Sequence, residues 1–387
     1  MYVNFVTKTE RPGRYKSEDT MASFKKIGIL TSGGDAPGMN AAIYAVTEHA
    51  TEKGLKVVGI NEGYKGLLAR DFVELTPAKV QNIISRGGTI LNSARCAEFK
   101  QPEKVRECVE ICREKGIDGI VTIGGDGTFR GATDLSNFGI PCVGIPGTID
   151  NDITVTDNSI GYDTAMNTVL DLCDKLRDTC ESHARCNVVE VMGRSAGYIA
   201  LNTSIALAAS GVCIVEFNDP KYNGGRDNRD VIVERIKARK EAGQRSFLVI
   251  VSEGLPYGEE LTRRIEEEAG VESRFARLAH IVRGGSPTLK DRVMACDMAV
   301  EAVELLLQGK SNLVVCERHG KITSREINYA LALDKLYKSR YAGYKKVDEE
   351  ALLAPYTEEQ RKIMDEFCKN KFEDMHRLYN VAVSLAN

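Results

Sequence analysis

No C-x-x-C pair occurs among the eleven cysteines of this sequence. The nearest spacings are Cys108/Cys112 and Cys180/Cys186, and neither is followed by a second ligand pair at zinc-site distance. This disfavours a structural zinc, and an odd number of unpatterned thiols reads as a reduced, cytoplasmic protein. Charge of one sign is also missing. The 52 Lys and Arg stand against 55 Asp and Glu, a formal net charge of −3. Nucleic acids and acidic membranes call for a basic surface, so neither is expected as a partner, and any anion must be held locally. The opening MYVNFVTKTERPGRYKSEDT has no apolar stretch of the kind a secretory signal needs. Residues 1–24 read as a polar N-terminal extension. The most apolar later run, SIALAASGVCIV at 204–215, is too short to cross a bilayer and contains small polar residues. There is no low-complexity segment to serve as a long linker.

At roughly 100–200 residues per domain, 387 residues suggest two or three domains with ample core. Short apolar runs (KKIGILTS, KVVGINEG, DGIVTIGG, PCVGIPGT and later CNVVEVMGR, VCIVEF, SFLVIVSEG, LAHIVRGG) end in glycine or small polar residues and alternate with longer amphipathic segments. That pattern indicates parallel strands covered on both faces. The expected fold is α/β, two doubly wound Rossmann-like lobes with mainly parallel sheets and a cleft between them. A boundary falls near 159–164, where SIGYDT can cap the helix AMNTVLDLCDKLRDTC. The first lobe is then 25–161 and the second 162–287. Residues 288–387 form a helix near 288–308 that returns to the first lobe, followed by a helical tail whose TEEQRKIMDEFCKNKFEDMHRLYNVAV segment reads as a surface helix.

Three strand ends are rich in glycine. In ILTSGGDAPGMNAAI, Gly33 and Gly34 would let backbone N–H groups approach an anion, although a tight structural turn explains them equally well. No G-K-[ST] follows, so this is not a Walker A loop. In VTIGGDGTFRGA, Gly124, Gly125 and Gly127 surround Asp126, which either holds Mg²⁺ beside a phosphate or caps the following helix. In GIPGTIDNDI, Thr148, Asp150 and Asp152 follow a Pro-Gly turn. An extended backbone would point both carboxylates to one side, one to accept a proton and the other to assist; an Asx-rich turn is the plainer alternative.

Together GILTSGGDAPGMNAAI, IGGDGT, PGTIDNDI, VVEVMGRSAGY and HIVRGGSP resemble, in order, the motif set of the ATP-dependent 6-phosphofructokinases. The likeness covers about residues 25–327. It implies that Gly34, Tyr64, Arg95, Cys96, Asp126, Gly127, Thr128 and Gly131 line an ATP and Mg²⁺ site, with Asp126 as the metal ligand. It implies that Asp150 is the general base on the sugar 1-hydroxyl, with Thr148 and Asp152 assisting and Arg194 and Arg95 stabilising charge on the transferring phosphoryl group. Fructose 6-phosphate would also meet Met192, Gly193, Glu253, His280 and Arg283, with Arg185 and Arg274 reaching in from a neighbouring subunit of a homo-oligomer, normally a tetramer. These roles suit phosphoryl transfer, which needs alignment and cationic cover more than covalent chemistry. An Asp at its ordinary pKa is ionised at pH 7 and ready to accept the proton.

Outside the resemblance each residue has a plainer reading: His280 a core histidine, Arg95 a surface ion-pair partner, Cys96 a small buried hydrophobe, Arg185 a salt bridge within its own subunit. Pyrophosphate users in the family carry Asp at the position of Gly127 and Lys at that of Gly147, so ATP is the expected donor. A pyrophosphate-dependent enzyme and a catalytically silent sugar-phosphate-binding subunit are the alternatives. Bacterial members commonly carry two effector-binding arginines on the first helix; here those positions are Tyr44 and Glu48, and only Arg177 matches a further basic effector residue.

Overall fold

The computed structural model describes residues 24–342 and 346–386. All of the N-terminal extension except its last residue therefore lies outside the described residues. Eleven strands follow in chain order: β1 Lys26–Ser32, β2 Lys56–Ile60, β3 Phe72–Leu75, β4 Gly119–Gly124, β5 Cys142–Pro146, β6 Cys186–Val191, β7 Gly211–Cys213, β8 Phe247–Ser252, β9 Ser273–Arg277, β10 Leu313–Arg318 and β11 Lys321–Glu326. They build two sheets, ordered β11-β10-β5-β4-β1-β2-β3 and β7-β8-β6-β9. The smaller is parallel throughout, and the larger is parallel except for its edge strands β3 and β11. The expected doubly wound α/β class is the observed one.

The strands read as continuous apolar runs because helices cover both faces of the sheet. Along β4, Ile120 packs with Leu30, Cys142 and Val314 on one side, whereas Val121 and Ile123 join Met39, Ile43 and Met298 on the other. The helix Leu289–Leu307 lies against the first helix, Met39–Glu52. Its Asp291, fully buried, accepts the N–H groups of Gly161 and Thr164 and so caps the helix Tyr162–His183 from outside.

Four expectations need correction. The chain beyond 288 is not helical throughout, since β10 and β11 add a hairpin to the first sheet. LAHIVRGG is not a strand: the strand is β9, just before it, after which Ala279 takes a φ of 47° and Ala279–Arg283 winds as a 3₁₀ turn. In VCIVEF only the start is strand, because Val215–Phe217 turns to bury the Glu216 carboxylate on the Gly197 N–H. The tail helix Glu358–Ala386 is more than a surface helix. Met364 and Cys368 enter the core of the larger sheet, while Met375 and Tyr379 enter the core shared with the smaller one, where Tyr379 stacks on Phe217 at 4.6 Å.

Candidate active site

Strand β1 lies between β4 and β2, so the chain leaves it in opposite directions and a crevice opens beyond the C-terminal ends of β1 and β4. The glycine-rich ends meet there. The Thr128 hydroxyl donates to the Ser32 carbonyl at 2.9 Å, and the Gly147 N–H donates to the Gly124 carbonyl at 3.0 Å. A Cβ on Gly124 would stand 2.4 Å from the Ser32 carbonyl oxygen, so only glycine lets these ends close together. One cleft of about 570 Å³ is lined by Gly34, Tyr64, Arg95, Cys96, Asp126, Gly127, Thr128, Gly131, Thr148, Asp150, Asp152 and Arg283. Lys100 and Arg130 line it too. The sequence marks neither cation with a role, although Arg130 stands within VTIGGDGTFRGA one helical turn after Asp126.

On one wall the buried Tyr64 stacks on Phe99 at 4.2 Å and donates to the Thr128 carbonyl at 2.5 Å. Gly131 is glycine because a Cβ would meet the Tyr64 ring at 2.5 Å. Asp126 is the first residue of the helix Asp126–Asn137 and caps nothing; it faces Arg130 at 2.6 Å and is 39% exposed. The helix-cap reading of Asp126 therefore fails. Arg95 is exposed and makes no ion pair among the described residues, so its plainer reading fails; Cys96 is half-buried at the cleft and packs against the core beside it, as its plainer reading has it in part. Asn40 anchors the segment leading to both: its side chain donates to the carbonyls of Arg86 and Gly87 and accepts the N–H of Ile90.

The paired aspartates do not sit on an extended backbone, as the spacing suggested. Asn151, between them, has a φ of 52°, donates from its amide to the Asp157 carbonyl at 2.9 Å and accepts the Ser159 N–H at 2.9 Å. The loop folds around that asparagine. The Asp150 N–H donates to the Thr148 hydroxyl at 3.2 Å, while Asp150 Oδ1 is buried without a hydrogen-bond partner. Nor does Asp150 titrate at an ordinary value. Burial, then the neighbouring Asp152, push its carboxyl up to about 6 against the pull of Arg283; Glu253 adds to the rise and Lys338 opposes it. Asp152 pairs with Lys338 at 2.7 Å.

The second lobe brings Met192, Gly193 and Arg194 to the end of β6, Glu253 to the end of β8, and His280 and Arg283 into the turn after β9. Gly193 has a φ of 119°, and its carbonyl accepts the Ser252 hydroxyl at 2.6 Å. Arg194 and His280 are exposed, so His280 is not a core histidine; only Arg283 of this group lines the first-lobe cleft. Arg185 and Arg274 stand elsewhere. Both pair with Glu272 of their own chain, at 2.9 and 2.5 Å, at the N-terminal ends of β6 and β9. Arg185 and Arg194 thus flank opposite ends of β6, six residues or about 20 Å of strand.

Among the described residues no three His, Cys, Asp or Glu side chains form a cluster able to hold a metal. A half-buried carboxylate in a cleft of about 570 Å³ suits a hard cation that arrives with its phosphates, as Mg²⁺ commonly does. Asp126 fits that donor role.

Fold and cleft together define a two-lobed α/β protein with its cleft at the strand ends of the larger sheet. The family model for phosphofructokinase matches residues 26–306, and the chain belongs to that family. It is 50% identical over 313 residues to the ATP-dependent 6-phosphofructokinase of Clostridium botulinum strain Hall, covering 81% of this chain and 96% of the relative. The protein of the same description from Clostridioides difficile strain 630 is 48% identical over the same shares. The solved phosphofructokinase of Saccharomyces cerevisiae superimposes with a TM-score of 0.75 at 28% identity, covering 89% of this chain; this chain spans 50% of the yeast one.

Proposed function

We propose that the protein transfers the terminal phosphoryl group of MgATP to the 1-hydroxyl of fructose 6-phosphate, giving fructose 1,6-bisphosphate and ADP. The supporting observation is the convergence of three glycine-lined strand ends, with Asp126 and the partnerless Asp150 in one cleft that Arg283 enters from the second lobe. On this reading residues 25–161 hold the nucleotide and 162–287 the sugar phosphate.

Asp150 takes the proton of the 1-hydroxyl as its oxygen bonds to phosphorus and the bond to the ADP oxygen breaks. Thr148 and Asp152 hold the base loop, while Arg95 and Arg194 cover the charge that spreads over the equatorial oxygens. Mg²⁺, held by Asp126 and the nucleotide, would supply further charge neutralisation. Met192, Gly193, Glu253, His280 and Arg283 orient the sugar phosphate. Arg185 and Arg274 serve the site of a neighbouring subunit, because within one chain a strand's length separates Arg185 from Arg194. That makes the working form a homo-oligomer, taken as a tetramer. No helix among the described residues is long and apolar enough to cross a membrane, and we place the enzyme in the cytoplasm.

A coupled assay with fructose 6-phosphate and either MgATP or pyrophosphate tests the proposal. Turnover with pyrophosphate equal to or above that with ATP overturns the choice of donor, and no turnover with either would leave a binding protein.

A further inference from the structure

The loop carrying Asp150 and Asp152 is gripped from behind by residues outside the span matched to the family, 26–306. Lys338, on the helix Ile327–Tyr341, donates to Asp152 Oδ2 at 2.7 Å, with both side chains mostly buried at 14% and 19% exposure. Asp334, one turn earlier on that helix, accepts the Thr154 N–H on Oδ1 and leaves Oδ2 buried without a partner. Lys371, from the C-terminal helix, lies over the rings of Tyr198 and Tyr337 and reaches the Thr154 carbonyl at 3.4 Å. One cluster therefore holds the Asp152 carboxylate and both backbone polar groups of Thr154. Arg340, paired with Glu349 and Asp365, ties the helices of the cluster together.

We propose that Lys338 is a positioning residue for phosphoryl transfer: its ion pair with Asp152 sets the loop that presents Asp150 to the acceptor hydroxyl. The C-terminal helices then belong to the catalytic apparatus. This rests on the phosphofructokinase reading above. An exposed pair would be worth little. Here removing one partner leaves a mostly buried charge uncompensated, and the loop must move to solvate it. Burial works against the charge on Lys338, but Asp152 and Asp334, with Asp126 further off, outweigh it and hold the ammonium well above the lysine range. Asp157 and Arg318 complete the charged surroundings, on the side of Lys371. The pair is therefore intact at neutral pH, and its role is geometric.

The test uses the full-length chain as wild type, Lys338→Met, Lys338→Arg, Asp152→Asn and the Lys338→Met/Asp152→Asn double variant. Wild type is assayed first. If it shows no turnover with MgATP and fructose 6-phosphate, the proposed function fails; if it turns over and Lys338→Met stays within about twofold of its kcat, only the role of Lys338 fails. Lys338→Met is expected to lower kcat by about 10- to 10²-fold, the usual cost of misplacing a reacting group, with both KM values within about threefold. Lys338→Arg should recover most of the loss. In the Asp152→Asn background, Lys338→Met should cost nothing more, because the pair is already broken. Fully multiplicative losses would overturn the proposal. Should Lys338→Met alone fail to fold, the Asp152→Asn comparison carries the same test, since neutralising both partners removes the unpaired charge on the loop while Asp334 keeps Lys371 as its cation.

Discussion

Arg283 stands against Gly34, with its Nη1 only 2.7 Å from where a Cβ on that glycine would lie and 3.2 Å from the carbonyl oxygen of Asp35. An arginine of the second lobe is thus seated on the first glycine turn of the first lobe, and the absence of a side chain at 34 lets it in. Gly34→Ala should displace the flexible guanidinium rather than the backbone, at a stability cost below about 1 kcal/mol. KM for fructose 6-phosphate should rise about tenfold, the worth of one weakened charge-assisted hydrogen bond, and by more than KM for ATP. Steady-state kinetics on both substrates check this. A rise confined to ATP would mean that Gly34 serves only the nucleotide.

If Asp150 is the base, its carboxyl, pushed up to about 6 by burial and by Asp152, should set an acid limit to catalysis. A base must be deprotonated to act, so kcat/KM should be level above about pH 7 and fall tenfold per unit below about pH 6. Asp150→Asn should lower kcat by about 10²–10⁴ and remove that acid limb while leaving ATP binding nearly intact. A variant keeping more than about a tenth of wild-type kcat would show that Asp150 is not the base.

Gly127 and Gly147 differ in what their lack of a side chain does. Nothing lies within 4 Å of a Cβ at 127, whereas one at 147 would meet Ile123 and Met39 at 3.1 Å. Position 127 faces open space, which the proposed function gives to the nucleotide, whereas Gly147 is packed against the core at the edge of the cleft. Gly127→Asp should fold normally, with a melting temperature within about 4 °C of wild type. Its carboxylate, next to Asp126, should raise KM for ATP by at least about tenfold through repulsion of the phosphates. Unchanged ATP kinetics in a folded variant would remove position 127 from donor recognition.

Much of this was legible in the sequence, because the glycine turns are local: three strand ends are written in consecutive residues, and two further motifs stand in order after them. What escaped depends on partners far along the chain. Lys338 and Asp152 are 186 residues apart, and nothing around either marks the pair. Asp291 caps a helix that starts some 130 residues earlier, with the same invisibility. The edge strands β3 and β11 are only partly buried, so they lack the apolar run that betrays a central strand. Strand alternation fails between Asp150 and Asp152 because the side chain of Asn151 satisfies the loop backbone and that residue holds a left-handed φ. A short polar side chain makes that conformation affordable.

If Arg185 and Arg274 complete a neighbour's site, two inactive chains can repair each other. Arg185→Ala and Asp150→Ala should each be nearly inactive alone. Mixed oligomers, formed by dissociating and reassembling the two, should regain part of the wild-type rate, because some sites take an intact half from each chain. Verified mixed oligomers without activity would show that the arginines act only where they now sit, on Glu272 of their own chain.

Regulation should be weak. Tyr44 and Glu48 lie four residues apart on the helix Met39–Glu52, both half-buried, where bacterial members of the family commonly carry two effector-binding arginines. Residues at that spacing share a helix face, so a cationic pair is replaced by a phenol and a carboxylate. Arg177 does not restore the balance. Its guanidinium donates to the Leu207 carbonyl, and the small cleft it lines also contains Glu181, one turn further along the same helix. A polyanion there would meet a cation already engaged and a carboxylate beside it. ADP and phosphoenolpyruvate at millimolar concentration should therefore move the half-saturation for fructose 6-phosphate by much less than about tenfold, that is, by well under about 1.4 kcal/mol of coupling. Saturation curves at neutral pH with and without each effector decide it. A tenfold shift would mean that other residues have rebuilt an effector site, and Arg177→Ala would then show whether this cleft is part of it: abolished coupling would place the effector here, and unchanged coupling would place it elsewhere.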